Sequence, residues 1–203
     1  KAVEIKPDDH QAWFNRGFAL RQLGRYEEAI ASYDKAVEIK PDYHQAWFNR
    51  GFALGELRRN EEAIASYDKA VEIKPDYHQA WNNRGIALGE LRRNEDAISS
   101  YDKAVEIKPD DHQAWNNRGI ALGELRRYED AISSYDKAVE IKPDFHLAWY
   151  NKACYYALQE NVDLAVKNLK QAISLNPEYR EMAKNNSDFN SIREDKRFQV
   201  LLF

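Results

Sequence analysis

Five histidines stand 34 residues apart, at His10, His44, His78, His112 and His146, and imidazoles at regular intervals first suggest a metal. Zinc needs its donors about 2 Å from one centre, whereas packed helices lie about 8–10 Å apart. One histidine per 34-residue step therefore does not converge, and each is expected as an exposed first-turn residue. Cys154 is the sole cysteine; its nearest histidine in sequence, His146, is eight positions away and off the adjacent turn. A small, partly buried residue fits it better than a nucleophile. The acidic pairs Glu61-Glu62 and Glu95-Asp96 fall at expected helix starts, where negative charge is favoured, so they read as helix-terminal charge rather than as an acid/base couple. The glycines lie inside helical patterns, so there is no phosphate loop. No metal, no cofactor and no catalysis are expected.

Two further series carry polar chemistry. Asparagine recurs at Asn15, Asn49, Asn83, Asn117 and Asn151, and an amide offers donors and an acceptor that match both polar groups of a peptide backbone. The pairs Arg58-Arg59, Arg92-Arg93 and Arg126-Arg127 could form a basic stripe, but acids accompany them, such as Glu56, Glu61 and Glu62. With a formal charge of −4 and no aromatic interleaving, they read as solvated turns, and no nucleic-acid partner is expected. No apolar run nears ~18 residues, so no membrane span is expected. A lone cysteine suits a reducing compartment, and a cytoplasmic location is the expectation.

These positions are set by a 34-residue unit, His44–Tyr77, which differs from His78–Asp111 at only five positions. Further copies occupy 10–43, 112–145 and, more loosely, 146–179. Self-similarity at such a period implies a stacked repeat array. Within the unit, Ala46, Trp47, Gly51, Ala53, Leu54 and Leu57 follow helical spacing, as do Ala63, Ile64, Tyr67, Ala70, Val71 and Ile73. Pro75 stops the second helix. Asp76 with Gln79 predicts a capping box for the next helix, and Asp8/Gln11, Asp42/Gln45 and Asp110/Gln113 repeat it. Arg16, Arg50, Arg84 and Arg118, then Lys152, precede the core Gly or Ala. Each is expected to lay its stem along the core and send its charge to solvent or a carboxylate. Residues 1–9 copy the end of a unit, so the chain is expected to continue a preceding repeat of a longer protein. Residues 180–203 break the period, and Phe189, Ile192, Phe198, Leu201 and Leu202 are expected to fold over the last repeat as a helical cap.

Trp47, Gly51, Leu54, Ala63, Tyr67, Ala70 and Pro75, with their counterparts in the other units, resemble the tetratricopeptide repeat (TPR). The resemblance implies an all-α fold, a right-handed α-solenoid of antiparallel helix pairs, whose first helices line a concave groove for peptides or protein segments. In that groove it places Gln45, Phe48, Asn49, Phe52, Gly55 and Glu56 of the second unit. The five asparagines would then form a line, similar to the asparagine ladder in the TPR domain of O-GlcNAc transferases. Phe14, Phe18, Phe48 and Phe52 would make the groove aromatic at its start, and Leu147, Tyr150, Cys154 and Leu158 apolar at its end. Glutamines at Gln11, Gln45, Gln79 and Gln113 stand where the chaperone-binding subset has lysines, so no carboxylate clamp is expected. The function this implies is a protein-binding scaffold. The alternatives are a docking arm of a larger enzyme, such as a glycosyltransferase or kinase, and an array with weak self-association.

Overall fold

The computed structural model describes residues 8–202, and every regular element among them is a helix. Of the expected end of a preceding repeat at residues 1–9, residues 1–7 lie outside the described residues. The chain divides into two compact units between Lys108 and Pro109. The first holds three antiparallel pairs: α1 (His10–Gln22) with α2 (Tyr26–Ile39), α3 (His44–Glu56) with α4 (Asn60–Ile73), and α5 (His78–Glu90) with α6 (Asn94–Ile107). The second holds α7 (His112–Glu124) with α8 (Tyr128–Ile141) and α9 (His146–Leu158) with α10 (Val162–Leu175). It ends in α11 (Glu178–Asn185), a 3-10 turn (Ser187–Ile192) and α12 (Lys196–Leu202). Within each unit the antiparallel pairs pack in sequence, as the TPR resemblance implies.

Each pair closes on a glycine–tyrosine contact. A Cβ on Gly51 would come 2.7 Å from Cε1 of Tyr67, closer than carbon atoms pack. Glycine lets the buried Tyr67 ring lie flat on the α3 backbone, and the about 1 kcal/mol of helix propensity forgone is offset by the buried ring. The turn from α3 to α4 ends on Arg58 in the left-handed region at φ 57°, as do Arg92 and Arg126 in their repeats. Repeat 1 has Gly24 there. The second arginine of each pair, Arg59, Arg93 or Arg127, forks onto the acid three residues on (Glu62, Asp96, Asp130).

The first-helix caps lie one residue later than the capping-box reading places them. Asp9 and Asp111 accept from the amides two and three residues on. At Tyr43, Tyr77 and Phe145 no side-chain cap forms. The aromatic ring instead packs edge-on against the histidine of the preceding repeat, His10, His44 or His112, at 4.8–5.5 Å. Those histidines are therefore half-buried rather than exposed. Burial, reinforced by Lys74, holds the His44 imidazole below its usual range.

The arginines before the core glycines tie successive pairs together. Arg50 Nε donates to Asp34 of the preceding repeat at 2.6 Å, and its Nη1 donates to Ser66 at 2.7 Å. Ser66 is buried and donates in turn to the Glu62 carbonyl. Arg84 repeats this with Asp68 and Ser100. In the last repeat Asn168 replaces the serine, and Lys152 replaces the arginine and pairs with Asp136. The apolar stem and guanidinium also lie over the neighbouring tryptophan, Arg50 at 5.9 Å from the Trp47 ring.

After α10 the period stops. Phe189, Ile192, Phe198 and Leu202 are buried in one cluster with Tyr150, Cys154, Leu169 and Tyr179. Ser191 donates to the Ala157 carbonyl, and Arg193 donates to the carbonyls of Lys184 and Asn186, which fastens the 3-10 turn.

Candidate interaction site

In the first unit, a cavity of about 340 Å³ opens between α3 and α5, with Tyr67 of α4 as its back wall. Phe52 and Ile86 form its apolar sides, Gly55 lies in its lining, and Glu56, Glu90 and Asn83 supply polar groups. A Cβ on Gly55 would meet nothing within 4 Å, so the glycine leaves real space. The Tyr67 hydroxyl has its pKa raised by burial first and by Glu56 second, with Asn83 acting in the opposite direction. Arg58, exposed in its left-handed turn, and Asn60 complete the rim.

The matching places at two other junctions are filled by the chain itself. Between the first and second pairs, Arg21 stands where Gly55 would be, and its guanidinium lies 4.9 Å from both the Phe18 and the Phe52 rings. Behind it the Tyr33 hydroxyl is buried without a hydrogen-bond partner, and burial pushes its pKa up to about 12. In the second unit Tyr155 replaces the alanine found at Ala53 and Ala87. A Cβ on Gly123 would overlap its hydroxyl and ring. Tyr155 is stacked on Tyr135 at 5.7 Å and lies 5.5 Å from Tyr128.

The expected site residues separate into three groups. Phe52 and Asn83 line the cavity, together with Gly55 and Glu56. Phe18 is exposed but covered on one face by Arg21, Asn15 is exposed and accepts from Gln11 Nε2 at 3.1 Å, and Asn117 is half-buried. The remaining five are turned inward. Phe14 lies between Tyr33 and Tyr43, and Phe48 between Tyr67 and Tyr77, all at 4.9–5.9 Å, because the aromatic at each repeat start reaches back over the previous first helix. Asn49 is buried and donates to the Gln45 carbonyl at 2.7 Å, while Asn151 donates to Asn116 at 3.2 Å. Tyr150, expected on an open groove, is instead buried against Tyr179 at 4.5 Å and accepts from Asn186.

Burial pushes the Cys154 thiol far up, and Asn186 Nδ2 lies 3.4 Å from its sulfur. Among the described residues no three His, Cys, Asp or Glu side chains are grouped to hold a metal ion. No described helix is long and apolar enough to cross a membrane.

Models of the tetratricopeptide repeat match residues 40–78, 48–112 and 82–144, and others match 1–31 and 146–179. A TPR repeat model covers 17–58. The chain belongs to the tetratricopeptide repeat family. An uncharacterized protein of Methanocaldococcus jannaschii is 62% identical over 29 residues, which is 14% of this chain and 34% of that protein's length. Among solved structures, YrrB, described as a TPR protein with an unusual peptide-binding site, shares 26% identity. It superposes with a TM-score of 0.76 over 91% of this chain and 96% of its own. MamA follows at 23% identity and 0.77 over 81% and 96%. A MamA from Desulfovibrio magneticus RS-1 gives 18% and 0.77 over 87% and 97%. The MamA likenesses speak for the fold alone.

Proposed function

We propose that this TPR scaffold binds an extended protein segment on the face lined by α1, α3 and α5, with the cavity between Phe52 and Asn83 as its anchoring point. The observation that carries the reading is the open cavity itself. Its counterparts at two other junctions are plugged by Arg21 and Tyr155, whereas Gly55 keeps this one clear. Its volume falls at the low end of ligand pockets, about 300–1,000 Å³, which suits one side chain of a peptide rather than a cofactor. Apolar sides with a few polar groups are the usual composition of such an anchor site. The peptide-binding site described for YrrB supports the same class of partner.

The cavity, rather than a continuous amide ladder, carries recognition in this reading. Asn83 is the ladder member placed to meet a ligand there, and Asn15 and Asn117 stay secondary. A random dodecapeptide display library panned on the chain tests it. The selected peptides bind saturably, and Asn83→Ala weakens them by about fivefold, the equivalent of about 1 kcal/mol for one hydrogen bond, without shifting the melting temperature. Peptides indifferent to Asn83→Ala and to Phe52→Ala would place docking elsewhere.

A further inference from the structure

We infer that the cavity between α3 and α5 selects a basic side chain, an arginine or lysine carried by the bound segment. This rests on the docking reading above and adds its specificity. The first line of argument is internal. One junction earlier, at the position equivalent to Gly55, the chain places its own guanidinium, Arg21, 4.9 Å from the two aromatic rings that flank it. Cations over aromatic faces are attracted by the ring quadrupole, the more so as water is displaced. At the next junction Phe52 presents its ring again, Ile86 stands opposite, and Gly55 removes the resident cation while the space stays open.

The second line is charge. Glu56 and Glu90 both line the cavity; Glu56 accepts from the Tyr26 hydroxyl at 3.3 Å, and among the described residues neither is ion-paired with a lysine, arginine or histidine. By contrast, Glu62, Asp96, Asp34 and Asp68 are each paired with an arginine. The first junction differs in both respects, having Gln22 in place of Glu56 and carrying Arg21. Thus the resident cation is absent at the junction where two carboxylates remain. Arg58 on the rim is one positive charge against two negative ones, and all three are exposed. Tyr67 and Asn83 also line the cavity, and a hydroxyl oxygen can accept from the donors of an entering guanidinium or ammonium. A slot with the Phe52 and Ile86 side chains in its lining and two exposed carboxylates beside them suits a side chain with an aliphatic stem and a cationic head.

The test uses the peptides selected on the native chain. They are expected to share a basic residue at one fixed position. Replacing that arginine by citrulline, or that lysine by norleucine, lowers affinity by about tenfold in fluorescence anisotropy. Glu56→Gln with Glu90→Gln lowers affinity for the basic peptide by a similar factor but leaves the citrulline or norleucine analogue unchanged, and circular dichroism confirms that this variant melts like the native chain. Saturable peptides without a fixed basic position, or equal affinity for the basic and neutral forms, would overturn the inference and leave docking standing. A selection that returns no saturable binder at all would overturn the docking reading, and this inference with it.

Discussion

Gly55 and Gly123 sit in the same local sequence, Ala-Leu-Gly-Glu-Leu, and should respond to alanine in opposite directions. Alanine in place of a helical glycine stabilises by about 0.5–1 kcal/mol. At Gly55 nothing opposes that gain, because the new methyl meets no atom within 4 Å. At Gly123 the methyl would overlap the Tyr155 ring, which cannot simply swing away because it is stacked on Tyr135 and packed beside Tyr128. Overpacking of that kind costs about 1–3 kcal/mol, more than the propensity gain. With about 2–4 °C per kcal/mol for a chain of this length, Gly55→Ala should raise the melting temperature by about 1–4 °C and Gly123→Ala should lower it. Thermal and urea unfolding followed by circular dichroism measure both. The decisive control is Tyr155→Ala, which restores the residue type of Ala53 and Ala87 at that position. In that background Gly123→Ala should turn stabilising, giving a coupling of about 1–3 kcal/mol between the two sites. If Gly123→Ala stabilises the native chain as Gly55→Ala does, the plugged and open junctions do not differ and the site loses its basis.

Gly55→Arg copies Arg21 into the open junction, and it should abolish binding of the selected peptides in fluorescence anisotropy without lowering helicity or the melting temperature. Arg92→Gly relieves a left-handed arginine at φ 57°, worth about 1 kcal/mol, and should raise the urea midpoint; Arg92→Ala, which keeps the strain, should not. Arg84→Ala removes the link from Asp68 to the buried Ser100 and should cost about 1–3 kcal/mol of unfolding free energy. Arg84→Lys should cost less, since Lys152 makes the same carboxylate contact in the last repeat. Asp195, hydrogen-bonded by Arg197, has its pKa lowered from 3.8 to about 2. A depressed carboxylate contributes stability fully present above pH about 4 and lost as pH falls through about 2. Asp195→Asn should therefore flatten that part of the acid-unfolding curve, read as the difference from the native chain because Glu28 and Glu62 are lowered as well.

Helix boundaries are open to sequence reading because Pro41, Pro75, Pro109, Pro143 and Pro177 follow the five second helices and the apolar spacing is regular. The helix caps lie one residue beyond where the sequence puts them, since Asp42 and Asp76 look like caps while the aromatic after each takes the cap position and packs backwards instead. The arginine–serine link is legible in the sequence. Arg16/Ser32, Arg50/Ser66, Arg84/Ser100 and Arg118/Ser134 keep a constant spacing of 16, and both partners change together at Lys152 and Asn168. The inward turn of Phe48, Asn49 and Tyr150 was not legible. Helical periodicity places all three on the first-helix face, and only the path of Tyr77 and of the chain after Tyr179 shows that they are covered.

Near-identity of the repeats concentrates recognition in the few positions that differ. Trp, the core Gly, the Tyr beneath it and the Arg–Ser link recur almost unchanged because each solves the same packing problem at each junction. A ligand cannot distinguish junctions by those residues. It can distinguish them by Arg21 against Gly55, by Phe52 against Ile86 and by Ala87 against Tyr155, since these decide whether the space between consecutive first helices is occupied from within. A substitution that merely empties or fills that space leaves the backbone of the array intact, so binding can change from one junction to another at little cost in stability. On the inference of a basic side chain, the carboxylates that line the emptied junction set the sign of what enters it.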